Sequence, residues 1–177
     1  MAAATVGAVL AAASPAQAAT TWTGQQMTNR MDGSRLALSS DSTAEGATAI
    51  TLRAPNWQYR TATWSITVKD DGFFVLRNEA ANKCLQPSTA SPVAGTTVIV
   101  KTCDGSALQD WSRRNEETNH GQNTGWGSFR PSVNTRIALT LNNYQGNGSW
   151  DTVHLDQDLN SADRLWRHHK PDTTWNV

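Results

Sequence analysis

The stretch from Trp64 to Trp111, WSITVKDDGFFVLRNEAANKCLQPSTASPVAGTTVIVKTCDGSALQDW, decides the fold. A tryptophan opens a short alternating strand, Asp71-Gly72 makes a turn, and a second strand runs from Phe73 to Leu76. A strand holding Cys84 follows, then a Pro- and Gly-rich loop, a third strand from Thr97 to Lys101, Cys103, and the closing Gln109-Asp110-Trp111. Strands this short bury too little apolar surface to stand alone, so the unit needs partners to pack against.

Weaker copies of the same unit lie on either side. In the first, Arg35-Leu36-Ala37-Leu38-Ser39 aligns with Asn82-Lys83-Cys84-Leu85-Gln86, Ala49-Ile50-Thr51-Leu52 aligns with Thr97-Val98-Ile99-Val100, and Thr61-Ala62-Thr63-Trp64 ends the copy. In the third, Arg136-Ile137-Ala138-Leu139-Thr140, Thr152-Val153-His154-Leu155 and Asp163-Arg164-Leu165-Trp166 take the same places. Ala37 to Trp64 and Cys84 to Trp111 each span 27 positions, and Ala138 to Trp166 spans 28. The repeats therefore fall at about 21–64, 65–111 and 112–166. Alternate apolar positions (Ile50 and Leu52; Val98 and Val100; Val153 and Leu155) give each strand one face to bury. Three such units can pool those faces into one core with Trp64, Trp111 and Trp166 inside, closing a barrel and hiding its edges.

The central copy resembles the ricin-type β-trefoil lectins, in their secreted bacterial form. The shared residues are the Gly-x-x-x-Leu-x-Asn of Gly72 to Asn78, the Lys83-Cys84-Leu85 start, the cysteine spacing and the Gln-x-Trp ending. The resemblance implies an all-β fold, a β-trefoil built from three pseudo-repeats, and a carbohydrate-binding function. Composition agrees with an all-β domain. A chain of 177 residues has few charges, eight tryptophans, 12 glycines and frequent turn residues, and holds one good core.

Met1 to Ala18 stands apart from the fold. Val6 to Ala13 is a short apolar run and Ala16-Gln17-Ala18 is an Ala-x-Ala cleavage pattern, so residues 1–18 read as a secretory signal peptide and residues 19–177 as one domain. No Lys or Arg precedes the run, which leaves room for a start upstream of Met1. The run is too short for a membrane span. A secreted protein would pair its two cysteines, Cys84 and Cys103, as the resembling family pairs two at similar spacing. Two isolated cysteines are no zinc ligand set, and no cofactor or metal is implied. A net formal charge of +0 argues against nucleic acid and against a polybasic membrane surface.

Nothing points to an enzyme. There is no Gly-x-Ser-x-Gly elbow, phosphate loop or His-Glu-x-x-His. Asp70-Asp71 reads as a solvated turn, Glu116 to Ser132 as a Gly/Asn-rich loop, and His168-His169 as a solvated strand end. Trp22 and Trp175 are placed to meet where the chain closes.

The family holds its sugar with an Asp just after the cysteine-strand Leu, an aromatic two residues before the second cysteine, and an amide near Gln-x-Trp. Here the central copy offers Gln86, Lys101 and Gln109, the first copy Ser39 and Arg53, and the third Thr140 and Asp156. The usual pocket is thus lacking. An aromatic platform with polar groups to grip hydroxyls occurs instead in the third copy, as Tyr144 and Trp150 with Asn142, Asn143, His154 and Asp156. The expected partner is a carbohydrate or glycoconjugate. The other reading is a protein-binding scaffold, such as a protease inhibitor or a toxin's delivery subunit.

Overall fold

The computed structural model describes residues 19–53, 58–142 and 150–171. Twelve strands carry the described chain. They are β1 Thr20–Asn29, β2 Arg35–Leu38, β3 Ala49–Leu52, β4 Trp64–Val68, β5 Phe74–Asn78, β6 Lys83–Pro87, β7 Val98–Lys101, β8 Asp110–Glu117, β9 Asn123–Pro131, β10 Ile137–Asn142, β11 Trp150–Gln157 and β12 Trp166–His169. Helix is confined to single 3₁₀ turns, three of them just before β4, β8 and β12.

Six strands close a barrel through antiparallel pairs, in the cyclic order β1-β4-β5-β8-β9-β12 and back to β1. The other six form three hairpins, β2-β3, β6-β7 and β10-β11. These hairpins meet one another at one end of the barrel through Thr48–Ile99, Thr97–His154 and Thr152–Ile50. The three contacts are related by threefold pseudosymmetry, as a β-trefoil requires.

Trp64, Trp111 and Trp166 are completely buried in one core with Met27, Leu36, Leu76, Leu85, Phe129, Leu139 and Leu155. Each indole N–H needs a partner once buried. Each finds the carbonyl of a leucine: Trp64 to Leu36 at 2.9 Å, Trp111 to Leu85 at 2.9 Å and Trp166 to Leu139 at 2.8 Å. Cys84 and Cys103 are joined by a disulfide that ties β6 to the segment after β7.

Two expectations are corrected. The span Glu116 to Ser132 is not a loop: only residues 118–122 turn, and Asn123–Pro131 is a full barrel strand. Its glycines hide the strand signal because Gly125 and the inward-facing Gly127 carry no side chain to mark the alternation. On β3, Ile50 and Leu52 do not enter the main core. Ala49 packs there, while Ile50 and Leu52 lie on the opposite face in a second apolar cluster with Ala37, Ala62 and Tyr59. All four residues of β3 are buried, so the strand shows no polar face from which to tell its two sides apart.

Candidate functional site

The indole–carbonyl bonds equate Leu36, Leu85 and Leu139. In the first unit this is two residues away from the sequence alignment, which sets Leu38 against Leu85. The hairpin contacts move β3 the same way by one residue, since they equate Ile50, Ile99 and His154, whereas the alignment sets Ile50 against Val98. The family's pocket positions in the first unit are therefore Ala37, Leu52 and Ala62, rather than Ser39 and Arg53. Arg53 instead holds together the β1–β2 turn and β11. Its Nε donates to Asp32 at 2.9 Å, and its Nη2 forms an ion pair with Asp151.

Each of the three equivalent sites is satisfied from within. In the first unit it is apolar: Ala37, Leu52 and Ala62 pack with Ile50 and Tyr59. In the second, Gln109 Nε2 donates to Gln86 Oε1 at 3.0 Å and to the Thr102 carbonyl at 2.9 Å, while Gln109 Oε1 accepts from the Asp104 N–H at 2.9 Å. In the third, Arg164 replaces the glutamine. Its Nε donates to the Gln157 carbonyl at 2.6 Å, at the place equivalent to Thr102, and its Nη2 to Asp156 Oδ2 at 2.8 Å. Thr140 Oγ1 donates to the Ala138 carbonyl at 2.9 Å. A carboxylate held by a guanidinium has less free capacity for hydroxyls than an unpaired one.

Three of the residues picked out in the third unit, Trp150, His154 and Asp156, lie on one strand face. Along β11, Asp151, Val153 and Leu155 are buried, whereas Trp150, Thr152, His154 and Asp156 alternate on the outer side. Trp150 is 49% exposed. Antiparallel register sets Asn142 opposite Thr152, and Asn142 Nδ2 donates to Thr152 Oγ1 at 3.0 Å. On the other flank, Trp150 lies opposite Leu52 and Thr152 opposite Ile50. The outer face thus runs unbroken from the third unit onto the apolar cluster of the first. Asn143 and Tyr144 lie outside the described residues.

His154 is half-buried, and its Nδ1 is buried with no hydrogen-bond partner. Burial lowers its pKa, offset by the carboxylate of Asp156 and reinforced by the charge of Arg164. The ring is therefore neutral at neutral pH, one nitrogen a donor and the other an acceptor, with Nδ1 withheld from the surface. From Trp150 to Asp156 is six residues, or roughly 20 Å of extended strand. The face is an extended strip. Among the described residues no group of three or more His, Cys, Asp or Glu side chains is arranged to hold a metal ion.

No family model matches the chain, and no curated protein matches it in sequence. Solved structures do match. The designed threefold-symmetric protein ThreeFoil superposes with a TM-score of 0.69 at 20% identity, covering 82% of this chain and 97% of that one. A ricin B-like lectin from Macrolepiota procera, solved in complex with lactose, gives 0.65 at 16% identity, covering 91% and 100%. A mosquitocidal holotoxin gives 0.66 at 18% identity; 85% of this chain is covered, but the chain spans only 18% of the toxin. With the closed six-stranded barrel, the three hairpins and the three buried tryptophans, these likenesses establish the fold: the chain is a β-trefoil, the architecture shared by ThreeFoil and the Macrolepiota procera lectin.

Proposed function

We propose that this protein is an exported carbohydrate-binding module that grips an extended glycan chain along the outer face of β11. The observation that carries this reading is Trp150. A large aromatic ring stands half in water, on the same strand face as Thr152, His154 and Asp156 and beside Asn142. An exposed indole offers a flat apolar surface for the C–H face of a sugar, and the flanking amide, hydroxyl and imidazole groups take its hydroxyls. Asn143 and Tyr144, next in the chain to Asn142, belong to the same proposal.

Three further points support it. In the first two units the positions equivalent to the family's pocket are taken up by apolar packing and by the Gln86–Gln109 hydrogen bond, which favours the third unit as the place for a sugar. The Macrolepiota procera lectin of the same fold was solved with lactose. Residues 1–18 carry a signal-peptide pattern, the cysteines are bridged, and among the described residues no helix is long and apolar enough to cross a membrane. Catalysis forms no part of the proposal.

The test is a glycan array of neutral oligosaccharides run beside a protease-inhibition panel. Binding that lengthens in residence with chain length, and that Trp150→Ala abolishes while Gln109→Ala leaves it intact, is the expected result. A stoichiometric complex with a protease and silence on the array would place the molecule among protein-binding trefoils instead.

A further inference from the structure

The end of the barrel away from the hairpins holds a second set of groups that the β11 face does not use. Alternation from the buried Trp111 turns Arg113 and Asn115 inward on β8, and alternation from Trp166 turns His168 inward on β12. On β1, Trp22 lies opposite the fully buried Ile66 of β4, and Gln25 lies opposite Trp64. On β9, which lies between β8 and β12, the inward position facing Arg113 is Gly127, two residues before the buried Phe129. A Cβ at Gly127 would come within 2.8 Å of Arg113 Nε, so the missing side chain is what lets Arg113 lie across the strand. The Arg113 Nη2 reaches over to donate to the Gly125 carbonyl at 2.8 Å, and its Nη1 donates to Asn115 Oδ1.

Arg113 is half-buried, yet its acceptors are a backbone carbonyl and an amide oxygen, and no ion pair among the described residues involves it. Its Nε is buried without a partner. The carboxylate of Glu116, on the other face of β8, is taken by Arg30 and Thr124. His168 stacks on Trp22 with ring centroids 5.3 Å apart and bonds through Nδ1 to Gln25 Oε1 at 3.2 Å. Burial, with the charges of Arg113 and His169, lowers the pKa of His168; burial, with the charge of Arg167, lowers that of Arg113. A guanidinium withdrawn from water without a counter-charge is costly, and an arriving anion relieves that cost. The mouth of a β-barrel is also a recurrent place for a ligand.

We propose that this barrel mouth is an oxyanion site, in which Arg113 supplies the fixed charge and a planar fork, His168 and Gln25 line the opposite wall, and Trp22 forms the rim. The ligand class is a carboxylate or sulfate group, as borne by an acidic sugar or by a free inorganic ion. A guanidinium fork matches both geometries. The site is separate from the β11 face, so the two stand or fall independently.

The experiment titrates the isotopically labelled protein with inorganic sulfate, with glucuronate and with glucose, at constant ionic strength set by chloride, and follows the Trp22 indole and His168 ring signals. Saturable shifts with sulfate or glucuronate but not glucose are expected. Tighter glucuronate identifies an acidic sugar as the source, and tighter sulfate an inorganic or sulfated one. Arg113→Gln should weaken either by about ten- to a hundredfold, the loss of one charge-assisted contact, while Trp150→Ala leaves both unchanged. No saturable shift in the parent, or equal binding by folded Arg113→Gln, overturns the proposal. Should Arg113→Gln not fold, crystals of the parent soaked in selenate decide: density between Arg113 and His168 supports the site, and density elsewhere or none rejects it.

Discussion

Replacing Trp111 by alanine and, separately, by phenylalanine should resolve what the core tryptophans contribute. Trp111 has no exposed surface, and its indole N–H is the partner of the Leu85 carbonyl at 2.9 Å. Alanine removes the ring and leaves a cavity, which costs about 3–5 kcal/mol for an aromatic in a packed core. Phenylalanine keeps most of the apolar surface but strands the carbonyl, at a cost of about 1–3 kcal/mol. Against a total stability of about 5–15 kcal/mol, the first change brings the protein close to unfolding and the second leaves it folded. With about 2–4 °C lost per kcal/mol at this size, the melting temperature should fall by roughly 2–12 °C in the phenylalanine variant and about 6–20 °C in the alanine variant. Urea denaturation followed by circular dichroism reads both. The same pair of changes at Trp64 and at Trp166 should cost similar amounts, because all three indoles make the equivalent bond. A Trp111→Ala variant with unchanged midpoint, or a threefold set with unrelated costs, would refute this reasoning.

Reducing the Cys84–Cys103 bridge should lower stability by about 3 kcal/mol, read as a fall in the urea midpoint with dithiothreitol; an unchanged midpoint would show that the bridge constrains nothing. Stability should also depend on pH in two steps, measured in a buffer without phosphate or sulfate. Burial holds His168 and His154 below the usual histidine value, so the unfolded chain takes up protons first and stability falls as pH drops below about 6.5. His168→Gln should flatten that step, and a variant with the parent's slope would contradict it. Burial opposes the charge of Asp158, but the hydrogen bond and charge of Arg114 hold its carboxyl below the ordinary range. Its contribution is therefore present above about pH 4 and lost as the pH falls through its lower folded value, so Arg114→Ala should raise the acid-unfolding midpoint. Arg53→Ala leaves Asp32 and Asp151 facing each other without their cation, and should destabilise by about 3–5 kcal/mol, visible in the urea midpoint.

The repeat was legible wherever a residue type had only one physical use. Tryptophan at near-constant spacing marked three core positions, and the two cysteines marked one hairpin. The first unit was harder, because Leu36 and Leu38 are both apolar and both buried, and only the indole–carbonyl bond tells them apart. A slip of two residues on β2 and of one on β3 puts the inferred pocket at Ser39 and Arg53, away from the apolar cluster. β9 is hidden in the sequence because its glycines imitate a loop, yet one of them, Gly127, makes room for Arg113. His168 read as a solvated strand end, since a sequence does not reveal that its strand opens into the barrel mouth beside Trp22. In the third unit the sequence shows Trp150, His154 and Asp156 as candidates, but not the extent of their face or the pairing of Asp156 with Arg164. That pairing depends on a substitution at the glutamine position whose partner is eight residues away.

The β11 face is tested most directly by a titration of the labelled protein with a neutral oligosaccharide chosen from the array, followed by nuclear magnetic resonance. The shifts should concentrate on the Trp150 indole, the Asn142 amide and the His154 ring, and should strengthen as the oligosaccharide lengthens. Shifts centred on Gln86 and Gln109, or equal affinity for a single sugar and a long chain, would contradict it.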